Sequence, residues 1–159
     1  MATSGIMIMA LNKPAHVAIS RQFEKRQTQK TYIARVYGQV KQDQGSIDFP
    51  LTGDWPNRPK QMVDHDYGKA SLTHYKVLSR DKRAEYNTSL VELTPVTGRS
   101  HQLRVHMLAL GHPILGDRLY AHKEALALST RLTLHAINIQ FTHPSTLEEV
   151  SFTTKCPFN

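Results

Sequence analysis

The chain has 159 residues, of which 40% are hydrophobic. This length is enough to bury one core, so we expect a single domain over residues 1–159. The composition excludes fibrous, collagen-like and disordered classes. It carries 20 Lys and Arg against 13 Asp and Glu, a formal net charge of +7 that favours a polyanionic partner, because such cations displace the counterions of phosphates. Its longest apolar runs are too short for a membrane-spanning helix of ~20 residues, and its single cysteine closes no internal disulfide, so we expect a cytoplasmic protein without a membrane partner.

The N-terminal quarter of the chain predicts a strand, a helix and a second strand. Residues 5–11 form a continuous apolar run, which is typical of a strand buried on both faces. In residues 14–27 the apolar side chains recur at helical spacing and leave a charged face, which predicts an amphipathic helix. In residues 30–40 the side chains alternate between two faces as in a strand, so Tyr32 is predicted to share a face with Ala34.

The middle of the chain predicts a strand, a loop and a hairpin. Residues 45–51 are strand-like, and residues 54–60 contain two prolines that predict an irregular loop. Residues 71–78 and 87–93 are both strand-like and flank a charged stretch, which suggests a hairpin.

The last third predicts a helix, short turns and two closing strands. The helix is expected over residues 101–110, with Ser100 as its N-cap and Gly111 as its end. After it we predict the following segments: a turn-rich loop over 112–117, a helical stretch over 119–128, and strands over 132–141 and 150–154.

The most informative segment is Thr-Gly-Arg-Ser-His-Gln-Leu-Arg-Val-His at residues 97–106. A glycine turn before a helix start would bring Arg99, His101 and Arg104 close to free backbone amides, which is an arrangement that binds anions. Spacing alone favours a simpler interpretation, a capped helix with solvated arginines. For Tyr32 it likewise favours a core position on a half-buried strand.

Residues 97–106 resemble the Gly-Arg-x-His-Gln-x-Arg-x-His motif of RluA-type RNA pseudouridine synthases, and Lys-Thr-Tyr at 30–32 resembles their Lys-x-Tyr motif. Residues 111–117 are similar to the loop that follows the motif helix, and Leu-His-Ala at 134–136 is similar to a late strand of the family. The resemblance covers essentially the whole chain. Asp-Trp-Pro-Asn-Arg-Pro-Lys-Gln at 54–61 is most similar to the dual-specificity members, which modify a 23S rRNA hairpin and the anticodon stem-loop of certain tRNAs.

The resemblance implies an α+β fold, with a mixed, largely antiparallel sheet and flanking helices, as the C-terminal portion of a catalytic domain. It also implies isomerisation of uridine to pseudouridine in structured RNA by an enzyme that is a monomer when intact. The nine histidines do not have the spacing of a zinc site, and the chain has no glycine-rich phosphate loop. We therefore predict neither a metal nor a cofactor.

The resemblance also implies roles for individual residues. Tyr32 would stack on the uracil that has left its helix and is a candidate to move the C5 proton, and Arg104 would pair with the catalytic aspartate and keep it charged. The candidate contacts to the rest of the RNA are Arg58, Lys60, Arg99 and His101.

One departure from the family pattern concerns the start of the chain. Ala-Thr-Ser-Gly at residues 2–5 matches the end of the family motif His-Arg-Leu-Asp-x-x-Thr-Ser-Gly, and Met1 stands directly after the aspartate position. We therefore expect the catalytic aspartate to be absent from these 159 residues and Arg104 to be left without its carboxylate. The alternatives are a non-catalytic RNA-binding fragment and, if the motif match were accidental, a basic α+β adaptor that binds protein.

Overall fold

The computed structural model describes residues 2–82 and 85–158. Its strands are β1 (Ser4–Gly5), β2 (Gln29–Tyr37), β3 (Gln44–Asp48), β4 (Leu51–Gly53), β5 (Gln61–Val63), β6 (Leu72–Lys82), β7 (Asn87–Pro95), β8 (Leu134–Thr142) and β9 (Glu149–Thr153). Its helices are α1 (Lys13–Glu24), α2 (Gln102–Ala109) and α3 (Lys123–Ala127), with one 3-10 turn at Trp55–Asn57. Among the described residues, none of the helices has the length and hydrophobicity that a membrane span requires.

The strands form one large sheet and one small one. The large sheet has the order β1-β8-β2-β7-β6-β3, with β9 also paired to β8, and the small sheet consists of β4 and β5. Strand β1 runs parallel to β8, and the other pairs are antiparallel. The prediction of an α+β fold with a mixed, largely antiparallel sheet is confirmed.

The main core lies between the central strands and α2. Ala34 on β2 and Leu93 on β7 are fully buried, and Met107 of α2 packs into the same cluster. Tyr32 packs against this cluster as a partly buried side chain, so it shares the face of Ala34 as the alternation of β2 predicts. A helix of eight residues is not stable alone, so the packing of Leu103 and Met107 on the sheet holds α2 in place.

Helix α1 covers a second, smaller core beside the first. Pro14 stands in its first turn, and the Asn12 side chain caps it by accepting a hydrogen bond from the Ala15 amide at 2.9 Å. Ile19 packs against Ile139 of β8. The predicted amphipathic helix over residues 14–27 is confirmed, although it ends at Glu24.

The predicted strand over residues 5–11 is wrong for most of its length. Only Ser4–Gly5 forms strand β1, after which the Ile6 amide donates to the Ala136 carbonyl at 3.0 Å. Met9 and Leu11 are 71% and 90% exposed, whereas Ile6 and Ile8 pack on the second core. The apolar run is therefore buried on one side only, so an unbroken series of apolar residues did not indicate burial on both faces here.

The predicted N-cap of α2 at Ser100 is also wrong. Helix α2 begins at Gln102, and the residue before it, His101, has a left-handed backbone with φ 54°. His101 is therefore the N-cap residue, and its side chain makes no capping hydrogen bond. Gly111 ends the helix region with φ +88°, as predicted.

The remaining segments follow the predictions with shifted bounds. The hairpin of β6 and β7 is confirmed, but β6 extends to Lys82 into the charged stretch that we expected to be the connection. The strand predicted over 45–51 is divided into β3 and β4, because Pro50 stands between them. Of the helical stretch over 119–128, only Lys123–Ala127 is helical.

Gly116 sets the course of the chain after α2. Its φ of +68° lies in the left-handed region, and a β-carbon built on it would lie 2.0 Å from the Arg131 carbonyl oxygen. The turn that glycine permits here leads directly into Asp117, whose carboxylate is buried.

We predict that Gly116→Ala destabilises the fold more than Gly111→Ala, the matched control. A β-carbon on Gly111 meets no atom within 4 Å. That variant therefore loses only about 1 kcal/mol, the cost of holding an alanine in a left-handed backbone conformation. Gly116→Ala adds the overlap with the Arg131 carbonyl and should lower the free energy of unfolding by at least twice as much. Urea unfolding followed by circular dichroism measures both, and equal losses would contradict the role given to Gly116.

Candidate active site

One cleft brings together segments that are far apart in the sequence. It encloses about 420 Å³ and is lined by Tyr32 of β2, by Thr3 next to β1, and by residues of the 97–104 segment. Phe23 at the end of α1 also lines it. This volume lies within the usual range for sites that hold a small molecule or one nucleotide.

The aromatic ring of Tyr32 lies on the floor of the cleft because of its register in the sheet. It stands opposite Leu93 of β7 and Ala136 of β8, so its neighbours on both strands are apolar. Burial raises the pKa of the Tyr32 hydroxyl. The hydroxyl therefore stays protonated at neutral pH and can donate a hydrogen bond.

The Gln102 side chain fixes the backbone of the 97–104 segment. Its oxygen accepts from the Thr97 hydroxyl at 2.7 Å and from the Arg99 amide at 3.0 Å. Its nitrogen donates to the Leu72 carbonyl and to the Thr73 hydroxyl oxygen, both at 3.0 Å. Because Gln102 is only 4% exposed, these four bonds satisfy an amide that would otherwise be costly to bury.

His106 continues the same buried network. Its Nε2 donates to the Phe49 carbonyl at 3.0 Å, and its Nδ1 lies 2.9 Å from the Thr73 hydroxyl oxygen, which already accepts from Gln102. The Thr73 hydroxyl is therefore free to donate to Nδ1, which assigns the neutral tautomer with hydrogen on Nε2. Burial lowers the pKa of His106, in keeping with a neutral ring. Gln102 and His106 thus have structural rather than chemical roles.

Arg104 is held by a carboxylate that the sequence analysis did not assign to it. Its Nε donates to Asp117 Oδ2 at 2.8 Å and its Nη2 to Oδ1 at 2.6 Å. The side chains are 11% and 1% exposed. Arg104 is therefore not an unpaired buried charge, because the turn at Gly116 brings Asp117 next to it. Asp117 is a different residue from the aspartate of the family motif, so the expected absence of that catalytic partner stays a prediction.

The guanidinium of Arg104 keeps a free edge in this arrangement. Asp117 engages Nε and Nη2, while Nη1 has no hydrogen-bond partner among residues 2–82 and 85–158. Oδ1 of Asp117 also accepts from the amides of Leu119 and Tyr120, at 3.0 and 3.2 Å. Asp117 is therefore a fixed counter-ion that orients Arg104, and Arg104 lines the cleft.

His101 connects the cleft to the loop over residues 54–60. Its Nδ1 lies 2.8 Å from the hydroxyl oxygen of Tyr120, which accepts from the Gln61 amide at 2.8 Å. Burial first, and the charge of Arg104 second, lower the pKa of His101. A neutral His101 at pH 7 is the consequence.

Lys30 also lines the cleft, although it was not among the residues predicted to take part in the site. Burial lowers the pKa of its ammonium group, which lies 5.5 Å from the centroid of the Phe23 ring. In the described part of the chain no carboxylate pairs with it. Lys30 stands two residues before Tyr32 on a strand and therefore on the same face, so the sequence could have predicted its place in the cleft.

Arg58 and Lys60 lie outside the cleft, in a neighbouring cavity of about 500 Å³. His101 lines both cavities, which therefore adjoin. The structure accordingly places Tyr32, Arg99, His101 and Arg104 together and sets the two loop cations beside them.

The chemistry available in the cleft is that of binding a planar, anionic molecule. It offers an aromatic face and cations, and no Asp or Glu is among the described residues that line it. The described residues contain no group of three His, Cys, Asp or Glu side chains that would hold a metal ion. Chemistry without a metal or cofactor stays a prediction.

Comparison with known proteins gives one consistent family. The family model described as RNA pseudouridylate synthase matches residues 1–109. The dual-specificity RNA pseudouridine synthase RluA of Yersinia pestis is 57% identical over 144 residues, which cover 91% of this chain and 68% of that protein. The protein of that name from Vibrio vulnificus is 51% identical over 159 residues, covering 99% of this chain and 64% of that protein. The chain spans about two thirds of the length of these curated relatives.

Two solved structures share the fold. Human RNA pseudouridylate synthase domain containing 1 is 34% identical and superposes with a TM-score of 0.86, covering 99% of this chain and 66% of the human one. Human RNA pseudouridylate synthase domain containing 4 is 27% identical with a TM-score of 0.75, covering 98% of this chain and 68% of the human one.

We predict that Asp117→Asn destabilises the protein far more than Asp43→Asn. Asp117 neutralises a buried guanidinium, and the loss of one partner of such a pair costs about 3 kcal/mol or more. Asp43 pairs with Arg80 at 2.7 Å, but its side chain is 86% exposed, and exposed pairs contribute less than about 1 kcal/mol. Chemical denaturation of both variants is the measurement, and similar losses would show that Arg104 does not depend on Asp117.

Proposed function

The chain belongs to the RNA pseudouridylate synthase family, and we propose that its cleft receives one uridine of a structured RNA, which is isomerised there to pseudouridine. Members of this family act on RNA. The observation that carries the proposal is the assembly of Tyr32, Arg99, His101 and Arg104 around one cavity. An aromatic floor with cations at its rim suits an unstacked base and its phosphates.

The reaction defines what the residues of the cleft have to do. The bond between N1 of uracil and C1′ of ribose breaks, the base turns, and a bond forms from C5 to C1′. C5 then loses its proton and N1 gains one, so the product is an isomer of uridine. The base has to be held by its face while it turns, which a tyrosine ring permits because stacking constrains rotation within the plane only weakly. We assign this role to Tyr32, and its hydroxyl is the candidate to relay the C5 proton, because its oxygen can accept that proton while the hydroxyl passes its own proton on.

Arg104 is proposed to orient the aspartate that acts on the ribose. Asp117 holds one edge of the guanidinium and leaves Nη1 for a second carboxylate. Ala2 and Thr3 line the cleft, and the aspartate of the family motif stands two residues before Ala2. A residue at that position lies within about 7 Å of Ala2 along the chain, which is compatible with a place beside Arg104.

The substrates we propose are a 23S rRNA hairpin and the anticodon stem-loop of tRNA. Residues 54–61 resemble the dual-specificity members, and the bacterial relatives named above carry dual specificity in their names. Arg58, Lys60, Arg99 and His101 would contact the RNA around the target uridine. We propose that residues 1–159 form the C-terminal portion of a catalytic domain in a monomeric, cytoplasmic enzyme.

A second function is favoured by one observation. No carboxylate among the described residues lines the cleft, so residues 2–82 and 85–158 place binding groups there but not the group that the family uses on the ribose. RNA binding without turnover is therefore the activity we propose for this chain in isolation.

We predict that the 159-residue chain alone forms no pseudouridine on transcripts of an rRNA hairpin or a tRNA anticodon stem-loop. Fusion of the upstream portion of a relative, through its His-Arg-Leu-Asp motif, ahead of Met1 should supply the carboxylate and bring activity. A chemical assay for pseudouridine measures both proteins.

The control is the same fusion with its motif Asp changed to Asn, which should be inactive. Within the active fusion, Tyr32→Phe should keep binding and lose any step that needs the hydroxyl, whereas Tyr32→Leu should lose both. Arg104→Lys should lose most activity, because an ammonium cannot grip two carboxylates as a guanidinium does. Turnover by the chain alone, or an undiminished rate with Arg104→Lys, would contradict these roles.

RNA affinity of the isolated chain should depend steeply on salt, since phosphate contacts release counterions. Arg99→Ala should reduce the slope of log affinity against log salt concentration by roughly 0.7 to 1, the share of one phosphate contact. Lys76→Ala is the matched control, since it removes the same charge from an exposed position of β6 that lines neither cavity. Fluorescence anisotropy of a labelled hairpin gives the slopes, and equal slopes for the two variants would refute the assignment of Arg99.

A further inference from the structure

The loop over residues 54–60 exposes an aromatic side chain that nothing in the proposed reaction uses. Trp55 is 70% exposed, which is unusual for the largest apolar side chain. The guanidinium of Arg58 lies 4.4 Å from the centroid of its ring and covers one face. The ring is thus flanked by a cation on one face, and most of its remaining surface faces solvent.

The loop holds Trp55 in place through its own hydrogen bonds. The Asn57 side chain donates to both carboxylate oxygens of Asp54, at 3.1 and 2.9 Å. The Asp54 amide donates to the Lys60 carbonyl at 2.9 Å, which closes the loop at its base. The Gln61 amide then donates to the Tyr120 hydroxyl. An exposed indole on a braced loop loses little conformational freedom on binding, so its position favours affinity.

The surroundings of Trp55 are cationic and adjoin the cleft. The neighbouring cavity, of about 500 Å³, is lined by Trp55, Arg58 and Lys60. His101 is shared with the cleft that contains Tyr32. The one acid of the loop, Asp54, is engaged by Asn57. A molecule bound here would meet a planar apolar face, two cations, and a direct continuation into the cleft.

We propose that Trp55 forms a second base-binding site, in which an unpaired nucleotide close to the target uridine stacks on the open face of the indole. This inference rests on the proposed RNA binding and adds a specificity-determining contact to it. Arg58 stacks on the other face, so the base, the indole and the guanidinium form three layers, and Lys60 lies beside the phosphate. Stacking accepts any base, so the site selects unpaired nucleotides over duplex rather than one sequence.

Trp55 is the single tryptophan of the chain, so its fluorescence reports on this site alone. The first experiment titrates the 159-residue protein with an RNA hairpin whose loop consists of uridines, under red-edge excitation of the indole. A parallel titration uses the same hairpin with abasic loop nucleotides, which keeps the phosphates and removes the bases. We expect strong quenching with the uridine loop and little with the abasic loop.

The second experiment measures hairpin affinity by anisotropy for three variants. Trp55→Leu should weaken binding of the uridine hairpin about tenfold or more and leave binding of the abasic hairpin unchanged. Trp55→Phe should retain part of the affinity, because a smaller ring still stacks. Phe152→Leu is the control, since Phe152 is 53% exposed on β9 and lines neither cavity.

The outcomes separate this inference from the proposed function. If the hairpin binds with normal affinity to Trp55→Leu and does not quench the wild-type indole, the second base site is refuted while RNA binding stands. If Trp55→Leu weakens both hairpins equally, the effect comes from the fold of the loop and the inference also fails. If no hairpin binds even at low salt, both the inference and the proposed RNA binding are wrong, and a protein partner becomes the better explanation of the exposed indole.

Discussion

A chain of buried hydrogen bonds through Gln102, Thr73 and His106 holds the site in shape. It joins the 97–99 turn, strand β6, helix α2 and the Phe49 carbonyl, and each buried donor in it has an acceptor. The cost of leaving one such group unpaired is about 1–3 kcal/mol, so the arrangement has few alternatives. The unusual left-handed backbone of His101 persists because its neighbours on both sides are fixed in this way.

Residues of the 97–106 motif therefore have different roles at the cleft. Gln102 and His106 are buried and position the backbone, and Gln102 also lines the cavity together with Arg99, His101 and Arg104. Arg104 needs a further support, the carboxylate of Asp117, because a guanidinium only 11% exposed requires a counter-ion at all times. Its orientation is therefore set without any bound molecule, so it would lose little freedom on binding one.

Patterns along the chain predicted local structure where one face of an element is buried. The alternation of β2 placed Tyr32 correctly, and the hairpin of β6 and β7 followed from two strand-like runs. Tertiary contacts could not be predicted in this way. Nothing in the spacing of residues indicates that Asp117 pairs with Arg104, or that Tyr120 joins Gln61 to His101. The strand predicted from the apolar run at residues 6–11 was wrong because hydrophobicity indicates only that a residue favours burial. The neighbouring surface that is available decides how many sides of the segment are covered. The resemblance to a family supplied candidate functional residues where spacing left the roles open.

The pairing of β1 with β8 has a consequence for the order of folding. Ser4 and His135 are hydrogen-bonded across 131 positions of sequence, whereas β6 and β7 meet through a short connection. Loop-closure entropy makes the distant contact the slower one to form, so β1 docks onto a sheet already built by the later strands. Thr3 directly precedes β1 and is positioned when β1 docks, so it is among the last parts of the cleft wall to be assembled. During synthesis β1 leaves the ribosome well before β8, so a nascent chain cannot complete the cleft wall at Thr3 before β8 has been made.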